Sequence, residues 1–296
     1  FAADEVSVLG ELEFTGGSNS VNMLRVSNSS GDGFNVSAGS INISYVLVDN
    51  STVGPFEGYK AINVSDTADA ALTSVTLYGN YKGLFDNSSG SVTMTNSIVY
   101  STTNQSSTNY FVVGDPVVTY SDIGNFFGEI YTGTGNINSN PLFVDGNNGD
   151  FNLDLLSPCI DSGDPSAVYD PDSTLADMGA FPRLRQFLTG TSDGDINVSA
   201  DTTVIITEDF TVTADDSIEL EAGAELYFGP GVTLTVEGAL TADGNSEGVI
   251  SFLPLNPDST FGGVVIGTDD GHRDGDSYSY IQISGVEAAS IPLTVH

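Results

Sequence analysis

Several things are scarce in this chain. It has no tryptophan, one cysteine, two histidines and only 6 lysines and arginines, against 40 aspartates and glutamates among 296 residues. The single cysteine, Cys159, excludes an intrachain disulfide, and its setting Ser157-Pro-Cys-Ile160 reads as that of a small core residue. With His272 and His296 alone, no HExxH or Cys/His zinc spacing can be written. A formal net charge of −34 argues against nucleic acid, whose phosphates need clustered cations, and against anionic membrane surfaces. No apolar run approaches the ~18 residues a spanning helix needs, so membrane insertion is not expected.

What is present is strand after strand. From Phe1 to about Tyr131, segments such as Met23-Leu-Arg-Val26, Phe34-Asn-Val36 and Ile41-Asn-Ile43 alternate apolar residues with Ser, Thr and Asn. Weak repeats accompany them. Ser40-Ile-Asn-Ile43, Ser74-Val-Thr-Leu77, Ser91-Val-Thr-Met94 and Pro116-Val-Val-Thr119 are read in one register, and the stretch from Gly33 to Ile41 is matched to Gly83–Val92. Short strands at coil intervals of roughly 20–25 residues are the unit of a β-solenoid, in which no coil is stable alone.

Residues 136–182 carry five blocks in order: Asn140-Pro-Leu-Phe-Val-Asp145, Gly149-Asp-Phe-Asn-Leu153, Ser157-Pro-Cys-Ile-Asp161, Gly163-Asp-Pro165 and Asp177-Met-Gly-Ala-Phe-Pro182. This segment resembles the closing segment of right-handed parallel β-helix proteins of secreted and cell-surface type. The resemblance implies an all-β, right-handed parallel β-helix, an extracellular or cell-surface setting, and a segment that wraps the end of the core. It implies no reaction.

After Pro182 the text changes. Residues 183–189 read as a linker holding two of the six cations. From 190 to 296 the pattern resembles the N-terminal cap and first coils of a second β-helix, with Gly at corners in Gly229-Pro-Gly231 and a step at Phe261-Gly-Gly-Val-Val-Ile266. The first piece, 1–182, reads as the later coils and cap of such a helix, so the two solenoid segments are out of phase. That order suggests a window of a tandem-repeat chain, or units that join head to tail through unpaired coils.

Candidate chemistry is thin. Glycosidases need paired carboxylates, but with so many acids chance pairs are certain. A lyase needs clustered cations, whereas Arg25, Lys60, Lys82 and Arg273 are scattered. Calcium is the one cofactor the sequence admits, at Asp161, Asp164, Asp170, Asp172 and Asp177 or at Asp269, Asp270, Asp274 and Asp276; neither set matches an EF-hand loop. Glycosylation sequons stand at Asn28, Asn35, Asn42, Asn50, Asn63, Asn87, Asn104 and Asn197. The expectation is a non-catalytic structural protein of the extracellular surface or a filament, with itself as partner. The alternative is an adhesin that binds polysaccharide, or an enzyme that degrades it.

Overall fold

The structure is a computed structural model that describes residues 7–8, 11–27, 31–49, 59–80, 82–100, 111–124, 130–200, 202–267, 277–279, 281–285 and 293–295. Two compact units divide the chain, residues 1–183 and 184–296. Both are parallel β-solenoids. Among the described residues the only helical element is the 3-10 turn Gly146–Asn148.

In the first unit, strands Leu12–Ser27 and Phe34–Asp49 run through three successive faces and pair in parallel along their length. One face stacks Leu12, Phe34, Ile62, Leu84 and Val112 in register. A second stacks Ile43, Leu72, Met94 and Val118. The third stacks Val26, Val48, Leu77, Val99 and Ile123. Because side chains alternate across a strand, these columns all point inward and form one buried core. Register also explains two glycines. A Cβ on Gly33 would lie 2.6 Å from the Ala61 carbonyl and 2.8 Å from Val48; on Gly83 it would lie 2.4 Å from the Phe111 carbonyl and 2.5 Å from Val99. Both precede the Phe34–Ile62–Leu84 column and face the next coil's backbone at the same place.

The repeats read from sequence hold in part. Ile41 and Val92 do share a column through Ala70. Val118, however, pairs with Met94, so the Pro116–Thr119 quartet is shifted by one residue. The Ser74–Leu77 quartet lies on the third face, beyond the corner, and not beside Ser40–Ile43.

That corner is built the same way in five coils. Met23, Tyr45, Ser74, Asn96 and Tyr120 all have positive φ, between 46° and 54°. Placing an L-residue there turns the strand sharply at some cost in strain. The turn breaks the ladder, and buried side chains replace it. The Val75 N–H donates to Ser97 Oγ, the Ser97 N–H to Ser121 Oγ, and the Ser121 N–H to Asn136 Oδ1, each at 3.1 Å. Each serine hydroxyl also donates to the carbonyl two residues back, on Thr95 at 2.8 Å and Thr119 at 2.9 Å. Ser121→Ala should therefore leave the Ser97 amide buried without its acceptor, at a cost of about 1–3 kcal/mol read by chemical denaturation. An unchanged midpoint would contradict this account of the corner.

The second unit has the same logic with fewer described coils. Thr203–Val212 pairs with Glu225–Phe228 and with Thr233–Val236, and these pair with Ile250–Pro254 and Gly263–Ile266. A further face stacks Ile196–Val198, Ser217–Leu220 and Ala239–Asp243. Phe228 lies at the centre, its ring 4.4 Å from Phe261 and 6.1 Å from Phe252. Residues 183–189, read as a linker, differ from that expectation. Arg185–Thr191 is the unit's first strand, paired from Arg185↔Thr203 onward, because Leu188 turns inward onto the core.

Candidate functional site

The segment from Ser139 to Arg183 is the least regular part of the first unit and carries its most unusual chemistry. Residues 136–182 were expected to close the end of the core. The structure lays the segment along the side, over the outward residues of the third face from Asp122 back to Arg25. Those outward residues, Leu47, Thr76, Ile98 and Asp122, are consequently buried.

Phe143–Asp145 and Asp150–Leu153 form an antiparallel hairpin, closed by the 3-10 turn and by Gly149 in the left-handed region at φ 95°. The hairpin plants Phe143 and Phe151 edge-on against Tyr78, at 5.6 and 4.9 Å between ring centroids. Cys159 and Met178 pack on Ile98. Polar staples fix the register. The Asp164 N–H donates to Asn96 Oδ1 at 2.7 Å, the Gly179 N–H to the Asn96 carbonyl at 2.8 Å, and the Ala180 N–H to Thr76 Oγ1 at 2.9 Å.

Asp122, Asp177 and Cys159 are buried ionisable groups of this layer. Asp122 accepts from the Ser139 N–H at 3.0 Å and from the Cys159 thiol at 3.4 Å. Asp177 accepts the Asp161 N–H at 2.8 Å and the Arg183 N–H at 2.7 Å. Loss of solvent raises the Asp122 carboxyl to about 6 and the Asp177 carboxyl to about 7, against the opposing pull of those hydrogen bonds. Burial and the adjacent Asp122 also push the Cys159 thiol well above its ordinary range, which removes it as a nucleophile. Perturbed carboxylates can mark catalytic centres, yet here their bonds run to backbone amides and to a thiol. They hold the segment's turns.

This layer sets a pH dependence. The folded carboxyls of Asp122 and Asp177 keep their protons above the pH at which the unfolded ones lose them. Their contribution to stability is complete below pH ~4 and is lost as pH rises through about 6 and then about 7. Thermal midpoints of the first unit should fall over that window, and Asp122→Asn should flatten the lower half of it. A midpoint rising between pH 4 and 7 in the wild type would contradict the assignment.

Four of the five candidate calcium ligands in this segment, Asp164, Asp170, Asp172 and Asp177, accept backbone hydrogen bonds. Asp170 accepts the Asp177 N–H at 2.8 Å, Asp164 accepts from the Ser166 N–H and hydroxyl, and Asp172 accepts from the Thr174 N–H and hydroxyl. At Asp164 and Asp172 these are turns in which a carboxylate binds backbone two residues on. Among the described residues, no group of three or more His, Cys, Asp or Glu is arranged to hold a metal ion. Asp269, Asp270, Asp274 and Asp276 lie outside the described residues. Of the sequons, Asn42, Asn87 and Asn197 are exposed on outward strand positions. Asn63 donates to Asn35 at 3.0 Å across adjacent coils, so both side chains belong to a ladder. Asn28, Asn50 and Asn104 lie outside the described residues. No helix among the described residues is long and apolar enough to cross a membrane.

Where the hairpin meets the corner of the earlier coils, a cavity of about 230 Å³ opens. Arg25, Tyr45, Asp150, Phe151 and Phe181 line it. Arg25 bridges the two layers. Its guanidinium pairs with Asp49 at 3.2 Å, reaches the Gly149 carbonyl at 3.4 Å and lies 5.6 Å from the centre of the Phe151 ring. The Ser27 hydroxyl donates to the same Asp49 carboxylate. Sequence reading left Arg25 as a scattered cation. A signal was there: a cation inside the apolar run Met23–Val26 needs a partner, and Asp49 stands 24 residues on, one coil away. Lys60 is likewise engaged, 3.4 Å from Asp32 and 5.0 Å from the Phe85 ring centre.

Fold and site together define a parallel β-solenoid whose first unit carries a strap over one outer face. A scan against family models, a search of curated proteins and a search of solved structures each return no match.

Proposed function

We propose that the chain is a non-catalytic structural element of an extracellular surface or filament protein, joined head to tail to copies of itself or to further repeats. The observation that supports this best is the parallel pairing of coil on coil in each unit. Every coil hands the next the same row of backbone donors and acceptors, with apolar columns beneath, so another coil is the natural continuation. The burial of Asp122, Asp177 and Cys159 in backbone contacts supports it too, since these groups act as fasteners. The acidic surface would keep such a polymer soluble and its strands apart.

Electron microscopy and sedimentation of the intact chain, at rising concentration in 0.15 M and 1 M salt, test the reading. Screening a chain of −34 should lengthen strings one solenoid wide. Single-copy particles under every condition would overturn it. Turnover of any polysaccharide, lost on one Asp→Asn change, would overturn its non-catalytic part.

A further inference from the structure

We infer that the cavity between the corner at Tyr45 and the strap is a binding site for one neutral sugar ring, such as a terminal or side-chain residue of a polysaccharide. The inference stands apart from head-to-tail assembly and would hold for a monomer.

Size comes first. At about 230 Å³ the cavity falls below the roughly 300–1,000 Å³ of sites for drug-sized ligands, so it suits a single ring and not an oligosaccharide. Its lining has two characters. Tyr45 and Met23 are held outward by the left-handed corner and stay 37% and 39% exposed. Together with Phe181 they offer flat apolar contact. Asp150, half-buried at the start of the strand Asp150–Leu153 with Oδ1 already accepting from Asn152, offers its other carboxylate oxygen to hydroxyl donors. A sugar ring presents that same combination, apolar C–H faces with hydroxyls at the rim.

Charge narrows the choice. Arg25 is the cation of the site, and Asp49 neutralises it at 3.2 Å while Asp150 adds a negative charge. An anionic ligand would meet a neutral-to-negative wall on a strongly acidic protein. A cation could use the aromatic rings, but the Phe151 face is already occupied by the Arg25 guanidinium at 5.6 Å. A neutral polyol remains. The Arg25 bridge ties the hairpin to the coil, so little ordering of that wall is required on binding.

The test is titration of the intact chain, by calorimetry or ligand-observed NMR, with methyl glycosides of glucose, galactose and mannose, with glucuronate and with choline. At least one neutral glycoside should saturate with a dissociation constant on the order of 1 mM, as expected for a ligand of so few atoms. Tyr45→Asn keeps a residue that tolerates positive φ and removes the ring; it should weaken binding at least fivefold at an unchanged circular dichroism spectrum. Phe181→Leu should do the same and serves if the first variant does not fold. Failure of every neutral glycoside to saturate overturns the inference. So does tighter binding of glucuronate or choline, or affinity unchanged in both folded variants.

Discussion

Phe228→Ala should cost the second unit about 3–5 kcal/mol, the largest effect expected of any single truncation in it. The ring is fully buried and sits in a stack, 13° from parallel to Phe261 and 26° from Phe252. Removing it takes away transfer energy and leaves a void that flanking coils cannot close, because their backbones are locked into the ladder at Ile206↔Phe228 and Phe228↔Pro254. Calorimetry should show a single shifted transition assigned to residues 184–296. A loss under about 1 kcal/mol would mean that the coils collapse onto the gap, and that the ladder is softer than the register implies.

Gly83→Ala should be nearly as damaging although it adds one methyl. The added carbon would meet the Phe111 carbonyl at 2.4 Å and Val99 at 2.5 Å. Valine could rotate, but the carbonyl belongs to the neighbouring coil, whose N–H partner is Leu84. Relief therefore requires the two coils to part, and overpacking of this kind costs about 1–3 kcal/mol or more. Gly33→Ala, facing Ala61 and Val48 in the same way, should behave alike. A tolerated alanine at both positions would show that coil spacing is adjustable.

Strand alternation revealed the inward columns at Phe34–Val36 and Ile41–Ile43, because a period of two is fixed by the backbone itself. It matched Gly33 to Gly83 correctly, since both answer to the same steric demand. It misplaced the Ser74 quartet because faces on either side of a corner share one alternation, and nothing local marks the corner. Met23, Tyr45, Ser74, Asn96 and Tyr120 are of four different residue types, none of them glycine, so the left-handed turn they share was invisible. The strap was recognised as a block of chain, but its position was misread. Apolar residues among Gly, Asn, Asp and Pro reveal that a surface is being covered, not which one. The cavity depends on Arg25 meeting Gly149, a contact across 124 residues that no spacing argument reaches.

The strap also changes how the first unit can come apart. In a bare solenoid each coil touches only its neighbours, and ends can fray one coil at a time. Here a single run of chain is bonded to Arg25, Tyr78, Thr76, Asn96 and Asp122, which lie on four of five successive levels. Peeling away one terminal coil means breaking a fastener that also serves coils further in. Opening free energy is thereby shared along the axis, so hydrogen exchange should report one common protection level across these coils and not a gradient from the ends. A one-dimensional array has been given the cooperativity of a globule.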